Sequence, residues 1–147
     1  MKIVECLPDS FDALKLMDEL SDVLQDITGC SGKNSFDTNE FYPGGIFVVA
    51  FDDNNEPIGC GSIRKIEDNV AEVKRMYAKQ KGLGIGTEVI NYLEKKAKSM
   101  GYLKLILETR LINQKAVSFY KKQGYSVIDN YGKYQNNSEA ICFEKIL

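Results

Sequence analysis

The sequence predicts an α/β domain of the α+β kind. It has a mixed, mostly antiparallel sheet of six or seven strands, a central βαβ unit, and helices on both faces. Three observations carry this. Ile46 to Ala78 reads as three strands separated by two polar turns, so these strands are sequential and antiparallel. Ala71 to Thr109 reads as strand, glycine turn, long amphipathic helix and strand, a right-handed crossover that leaves its two strands parallel. Tyr125 to Leu147 adds two further strands as a hairpin. The 147 residues, with no linker, repeat or low-complexity stretch, predict one domain over 1–147.

Taken in order, Met1 to Leu7 is a short strand ended by Pro8. Ser10 is placed to cap a helix from Phe11 to Ile27, whose apolar stripe is Leu14, Met17, Leu20, Val23, Leu24 and Ile27. Thr28 to Gly45 is polar and weakly patterned, and its aromatics Phe36, Phe41 and Tyr42 fit either a packed flap or a substrate wall. Ile46–Phe51 and Pro57–Ile66 form a hairpin across the turn Asp52–Glu56. Gly59 and Gly61 inside its second strand predict a bulge or a close backbone approach. Ala71 to Ala78 is the third strand.

Lys81-Gly82-Leu83-Gly84-Ile85-Gly86 breaks that strand. Glycines at alternate positions let the chain turn sharply and approach a ligand closely. From Gly86 to Met100, Val89, Ile90, Leu93, Ala97 and Met100 recur at helical spacing, Glu94 and Lys98 form an i,i+4 pair, and Gly101 ends the helix. A glycine turn opening a helix leaves unpaired N–H groups at the positive end of the helix dipole, a site suited to phosphate or pyrophosphate. Leu103 to Thr109 is a buried strand. Asn113 to Gln123 is a second amphipathic helix closed by Gly124. Asn113, Ala116 or Val117, and Tyr120 share one face of it. That stripe is either a site wall or a core tyrosine with an N-cap asparagine. Tyr125–Asp129 and Ala140–Leu147 are the last strands, joined by a polar loop with Tyr131 and Tyr134.

Composition narrows the chemistry. A net charge of −2 gives no reason to expect a nucleic-acid partner. No apolar run approaches the ~20 residues of a membrane span. Cys6, Cys30, Cys60 and Cys142 are widely spaced and read as reduced thiols of a cytoplasmic protein. The chain has no histidine, which removes Ser-His and Cys-His nucleophiles and the commonest zinc ligand, and no metal site is expected. Acid–base chemistry is left to carboxylates, tyrosine, lysine, cysteine or water.

The element order, the Lys81–Gly86 turn and the segment Asn113-x-x-Ala116-x-x-Phe119-Tyr120-x-x-x-Gly124-Tyr125 resemble the GNAT superfamily of acyl-CoA-dependent N-acyltransferases. The resemblance is specific from Glu72 to Tyr125. Lys81 stands where the family has Gln or Arg, and Lys79-Gln80 makes the approach to the turn shorter than usual. The resemblance implies a GNAT fold and an N-acetyltransferase that moves acetyl from acetyl-CoA, its cosubstrate, to a primary amine by direct attack. It implies that Met76, Tyr77 and Ala78 offer backbone groups to the pantetheine. Lys81, Gly82, Leu83, Gly84, Ile85, Gly86 and Thr87 would cradle the pyrophosphate, and Asn113 would bond the pantetheine. Tyr120 would sit beside the thioester sulfur as the general acid, and Glu72 matches a position where some members carry the base.

Two other readings stay open. One is a GNAT-like sensor that holds acyl-CoA without turnover. The other is a dinucleotide-binding unit, against which the third glycine, Gly86, stands one position early, where the fingerprint wants Thr87 to be glycine. The acceptor is a small-molecule or peptide amine. Mild acidity favours a cationic one, with Asp37, Glu40, Asp129 and Glu139 in loops that could border its cleft. A homodimer is compatible with the sequence.

Overall fold

The computed structural model describes residues 1–33, 36, 37 and 41–147. The elements follow in order as β1 (Lys2–Cys6), α1 (Phe11–Thr28), β2 (Ile46–Phe51), β3 (Pro57–Glu67), β4 (Val70–Ala78), α2 (Ile85–Ser99), β5 (Lys104–Arg110), α3 (Gln114–Lys122), β6 (Ser126–Ile128) and β7 (Ala140–Ile146). A single 3₁₀ turn, Gly132–Tyr134, lies between β6 and β7. The seven strands form one sheet in the order β1-β2-β3-β4-β5-β7-β6. Only β4 and β5 are parallel; the crossover through α2 makes them so. The fold class read from the sequence is the one observed.

Period-2 alternation sends each strand's side chains to two faces. On one face Val48, Ile63, Ala71, Val73, Leu105 and Leu107 pack against Val89, Ile90, Leu93 and Ala97 of α2 and Tyr120 of α3. On the other, Phe47, Val49 and Cys60 pack against Ala13, Leu16 and Met17 of α1. Phe36 and Phe41 of the long connection join that second core, so these two aromatics are packing residues. α1 is capped as expected, with Ser10 Oγ accepting from the Ala13 N–H at 3.4 Å and Gly29 taking φ +76° at its end.

Gly59 and Gly61 mark a close approach by α2. A Cβ on Gly61 would stand 2.5 Å from Met76 Sδ and 2.8 Å from Val89 Cγ1. The irregularity opposite them belongs to β4, where the register slips between Ser62–Lys74 and Cys60–Tyr77. Arg75 sits in that bulge at φ +54°, a left-handed conformation uncommon outside glycine. Its guanidinium explains the direction of the bulge. It donates to the Met17 carbonyl at 2.9 Å and to Ser21 Oγ, and so fastens α1 to the sheet. Glu94 pairs with Lys145 Nζ at 3.0 Å and the Tyr125 hydroxyl at 2.9 Å, rather than with Lys98, because β7 lies beside that face of α2.

The feature that makes a site is a failure of pairing. The β4–β5 ladder runs from Val70–Lys104 to Glu72–Ile106 and stops. Beyond it the strands diverge, and the β4 edge facing β5 is left without a strand partner.

Candidate active site

A cleft of about 1130 Å³ opens where β4 and β5 part. Its first end is the glycine turn and the start of α2, facing α3. Gly82 and Gly84 take φ +80° and +75°, left-handed values that strain any side chain, and Gly84 is the N-cap of α2. Gly86 is required for a different reason, because a Cβ there would meet the Phe119 ring at 3.2 Å. The N–H groups of Ile85, Gly86 and Thr87 open the helix with no intrahelical partner, while that of Glu88 closes onto the Gly84 carbonyl at 3.0 Å. Lys81 lines the same end, and the Thr87 hydroxyl is held by Gln123 Nε2 at 3.0 Å. Leu83 does not line the cleft; its side chain is 62% exposed, so only its backbone is placed for a ligand.

The middle is walled by Met76, Tyr77 and Ala78 of β4 and by Asn113 and Tyr120. Asn113 caps α3, its Oδ1 accepting from the Ala116 N–H at 3.3 Å, and lines the cleft. The Tyr120 ring is buried against Phe119, Tyr125 and Phe143. Its hydroxyl has no hydrogen-bond partner among the described residues, whereas those of Tyr92, Tyr102, Tyr125 and Tyr131 are all spent. Burial pushes the Tyr120 phenol well above its ordinary pKa, so it stays protonated through neutral pH.

Glu72 lies elsewhere. Alternation points it to the α1 face, where it is 1% exposed and lines an adjoining cavity rather than the cleft. Its Oε1 accepts from Arg64 Nε at 2.7 Å, its Oε2 accepts from the Tyr131 hydroxyl, and Lys74 Nζ stands 3.8 Å away. The described acids among those expected to border the cleft do not line it. Asp37 lines the adjoining cavity, Asp129 and Glu139 line neither, and Glu40 lies outside the described residues.

The far end carries residues the sequence did not single out. Lys74, Glu108 and Arg110 project from β4 and β5, and Lys133, Tyr134 and Asn137 come from the β6–β7 connection. Arg110 bonds Glu108, and Lys74 Nζ donates to the Tyr134 hydroxyl at 3.4 Å. Burial pushes Lys74 down to about 8, with Glu72 and Glu108 opposing and Arg64 and Lys133 adding to the fall. Burial likewise raises Glu108 above the usual carboxylate range. Leu20, Val23, Leu24 and Ile27 of α1 give the cleft an apolar wall. The available signal was charge at alternate positions in two otherwise buried strands, Glu72-x-Lys74 and Glu108-x-Arg110.

Cys60 and Cys142 line no part of the cleft, and burial pushes the Cys60 thiol up to about 12, which suits a core residue and not a nucleophile. Among the described residues no group of His, Cys, Asp or Glu is arranged to hold a metal ion. No described helix is long and apolar enough to cross a membrane.

A cleft between splayed parallel strands, with a helix N-terminus at one end and an unspent phenol in its wall, can be compared with known proteins. Residues 14–125 match the family described as Acetyltransferase (GNAT) family. The chain belongs to that family. It is a GNAT-type N-acetyltransferase. It is similar to the IAA acetyltransferase of Azospirillum brasilense, 26% identical over 137 residues that span 91% of this chain and 90% of that one. Among solved structures it resembles a Klebsiella pneumoniae protein described as an acyl-CoA N-acyltransferase. The TM-score is 0.83 and the identity 25%, over 99% of this chain and 97% of the other. It also resembles a Bacillus anthracis protein described as a streptothricin acetyltransferase, solved with acetyl coenzyme A. That match has 27% identity and a TM-score of 0.64, over 74% of this chain and 67% of the other.

Proposed function

We propose that this GNAT protein transfers the acetyl group of acetyl-CoA to a primary amine by direct attack within a ternary complex. The observation that carries this is the single cleft running from the α2 N-terminus, past the unpaired edge of β4, to the Tyr120 hydroxyl. The pyrophosphate would take the free N–H groups of Ile85, Gly86 and Thr87, with Lys81 beside them. The pantetheine would add to the open edge of β4 at Met76–Ala78, as a strand would, and reach Asn113. That the similar Bacillus anthracis protein was solved with acetyl coenzyme A supports this ligand.

The chemistry follows from the placement. The amine nitrogen bonds the acetyl carbon, and an N–H of the open β4 edge stabilises the oxyanion. The C–S bond then breaks, and the Tyr120 hydroxyl donates to the departing thiolate. The proton lost by the amine leaves through water and re-protonates the phenol. No acyl-enzyme is needed. Glu72 lines a cavity that meets the cleft at Lys133 and Tyr134 and stands 3.8 Å from Lys74 Nζ, so its part in deprotonation would run through a neighbour or water. An unspent Tyr120 hydroxyl favours turnover over a sensor role.

Calorimetric titration with acetyl-CoA, alongside CoA release measured over an amine panel, tests the reading. Gly84→Val should weaken acetyl-CoA binding, since its left-handed backbone admits no β-branched residue without strain. Binding with no CoA release from any amine would show a sensor. Absence of binding would overturn the proposal.

A further inference from the structure

The chain carries a net charge of −2, yet the far end of its cleft is ringed by cations. Lys74 Nζ, Arg110 Cζ and Lys133 Nζ lie 6.0, 5.9 and 5.5 Å from the centroid of the Tyr134 ring. The carboxylates nearby are already committed. Glu108 is bonded by Arg110, and Glu72 by Arg64 and Tyr131. Asp37 lines the adjoining cavity with Arg64, not the cleft. Lys74 is only 9% exposed, and its one ion pair is the long contact to Glu72 at 3.8 Å. Lys133 is exposed and has no carboxylate within 4.0 Å among the described residues. Among the described residues Lys133 thus has no ion pair, although Asp37 and Glu72 line the cavity it shares with them, and Lys74 has only a long one. A buried cation left so poorly matched is costly unless something completes it.

We propose that the amine acceptor carries a carboxylate that sits between Lys74 and Lys133 beside Tyr134, and an apolar side chain that lies on α1: an apolar amino acid. This rests on the acetyl transfer proposed above. The α1 wall of Leu20, Val23, Leu24 and Ile27 supplies the apolar contact. The two lysines repel a polycation and reward an anion. They also disfavour the ammonium form of the acceptor's amine, and only the neutral amine can attack. In the transfer, the amino group loses one proton, its nitrogen bonds the acetyl carbon, and CoA leaves as the thiol after taking a proton. The carboxylate is unchanged and serves as the handle. An anion bound at Lys74 would also hold that lysine charged, although burial brings it down to about 8.

Matched acceptors separate this inference from the reading beneath it. Purified protein with acetyl-CoA is offered L-leucine, L-phenylalanine and L-methionine, the amide of each, and spermidine, with CoA release as the readout. At least one amino acid should exceed its amide in kcat/KM by about tenfold or more, as a charge-assisted contact would give. Lys133→Glu changes an exposed residue and should remove that preference while leaving the KM for acetyl-CoA unchanged. Amides or spermidine acetylated as well as the amino acids would overturn the inference and leave acetyl transfer standing. So would a preference that survives Lys133→Glu. If nothing turns over, N-acetylleucine is titrated into the CoA-saturated protein, and failure to bind at millimolar concentration also overturns it. Failure to bind acetyl-CoA would instead remove the underlying reading.

Discussion

At the scale of single residues, the fold gives Tyr120 and Lys74 environments far from those of solution. The Tyr120 ring is held on three sides by aromatic rings, so its hydroxyl is fixed in position without using the hydrogen bond that a buried phenol usually makes. Tyr120→Phe keeps the ring and removes only that hydroxyl. We expect kcat to fall by about tenfold or more, the lower end of general-acid contributions, with acetyl-CoA affinity unchanged. Steady-state kinetics beside a binding titration checks it; an unchanged kcat would reduce Tyr120 to packing.

Lys74 gives a prediction of the opposite kind. Its pKa falls from the ordinary 10.5 to about 8 in the fold. Below pH 8 both folded and unfolded chains hold the proton, and the fold bears the cost of a buried ammonium. Between pH 8 and 10.5 the unfolded chain holds more protons than the folded one, so this group makes stability rise with pH. Lys74→Met removes the cost, and should stabilise the protein at pH 7 by about 1–3 kcal/mol. The gain should shrink toward zero above pH 10.5. Chemical denaturation at both pH values reads it. A variant less stable than wild type at pH 7 would contradict the burial cost. Stability gained at an active site commonly costs activity, which agrees with an anion-binding role for this lysine.

At the scale of elements, the cleft depends on how closely α2 lies on β3. Gly61 is the contact that sets this distance. Its φ is not left-handed, so an alanine there suffers no backbone strain, and the cost is purely steric. The added Cβ would be 2.8 Å from Val89 Cγ1 and 3.0 Å from Leu93 Cδ1. We expect Gly61→Ala to destabilise by about 1–3 kcal/mol, as overpacking a core does. It should also raise the KM for acetyl-CoA, because Met76, at 2.5 Å from the new atom, is itself part of the cleft wall. An unaltered denaturation midpoint would show that α2 can lift at no cost.

At the scale of the whole molecule, Glu72 joins parts far apart in the chain. Arg64 of β3 and Tyr131 before β7 both donate to it, and Tyr131 is 59 residues away. It therefore pins the β6–β7 connection, which carries Lys133 and Tyr134, over the open end of the sheet. Glu72→Gln removes the charge that Arg64 pairs with. Discounting for the partial exposure of Arg64, the loss should be about 2–3 kcal/mol. If Glu72 acts only as this pin, turnover falls by a similar factor at every pH. A loss confined to low pH, where the amine is protonated, would restore it as the base.

What the sequence determined by itself is everything that rests on neighbours within one element. Helical spacing, cap residues and turn chemistry place α1, α2, α3 and the strands. Gly82, Gly84 and Gly86 mark the turn that opens α2, and the seven-residue step from Asn113 to Tyr120 puts both on one wall, because a helix repeats that face whatever surrounds it. What only the tertiary structure decided rests on pairing between segments distant in sequence. Glu72 was read as a strand acid near the chemistry; only the fold shows that it shares a face of β4 with Lys74, is bound by Arg64, and lines a cavity that meets the cleft at Lys133 and Tyr134. The chain's mild acidity suggested a cationic acceptor. Folding leaves Asp37, Asp129 and Glu139 outside the cleft wall and gathers Lys74, Arg110 and Lys133 around Tyr134. Net charge is a sum over the chain. The field inside a cleft depends on which few charges face it, and that is fixed only when β4, β5 and the β6–β7 connection meet.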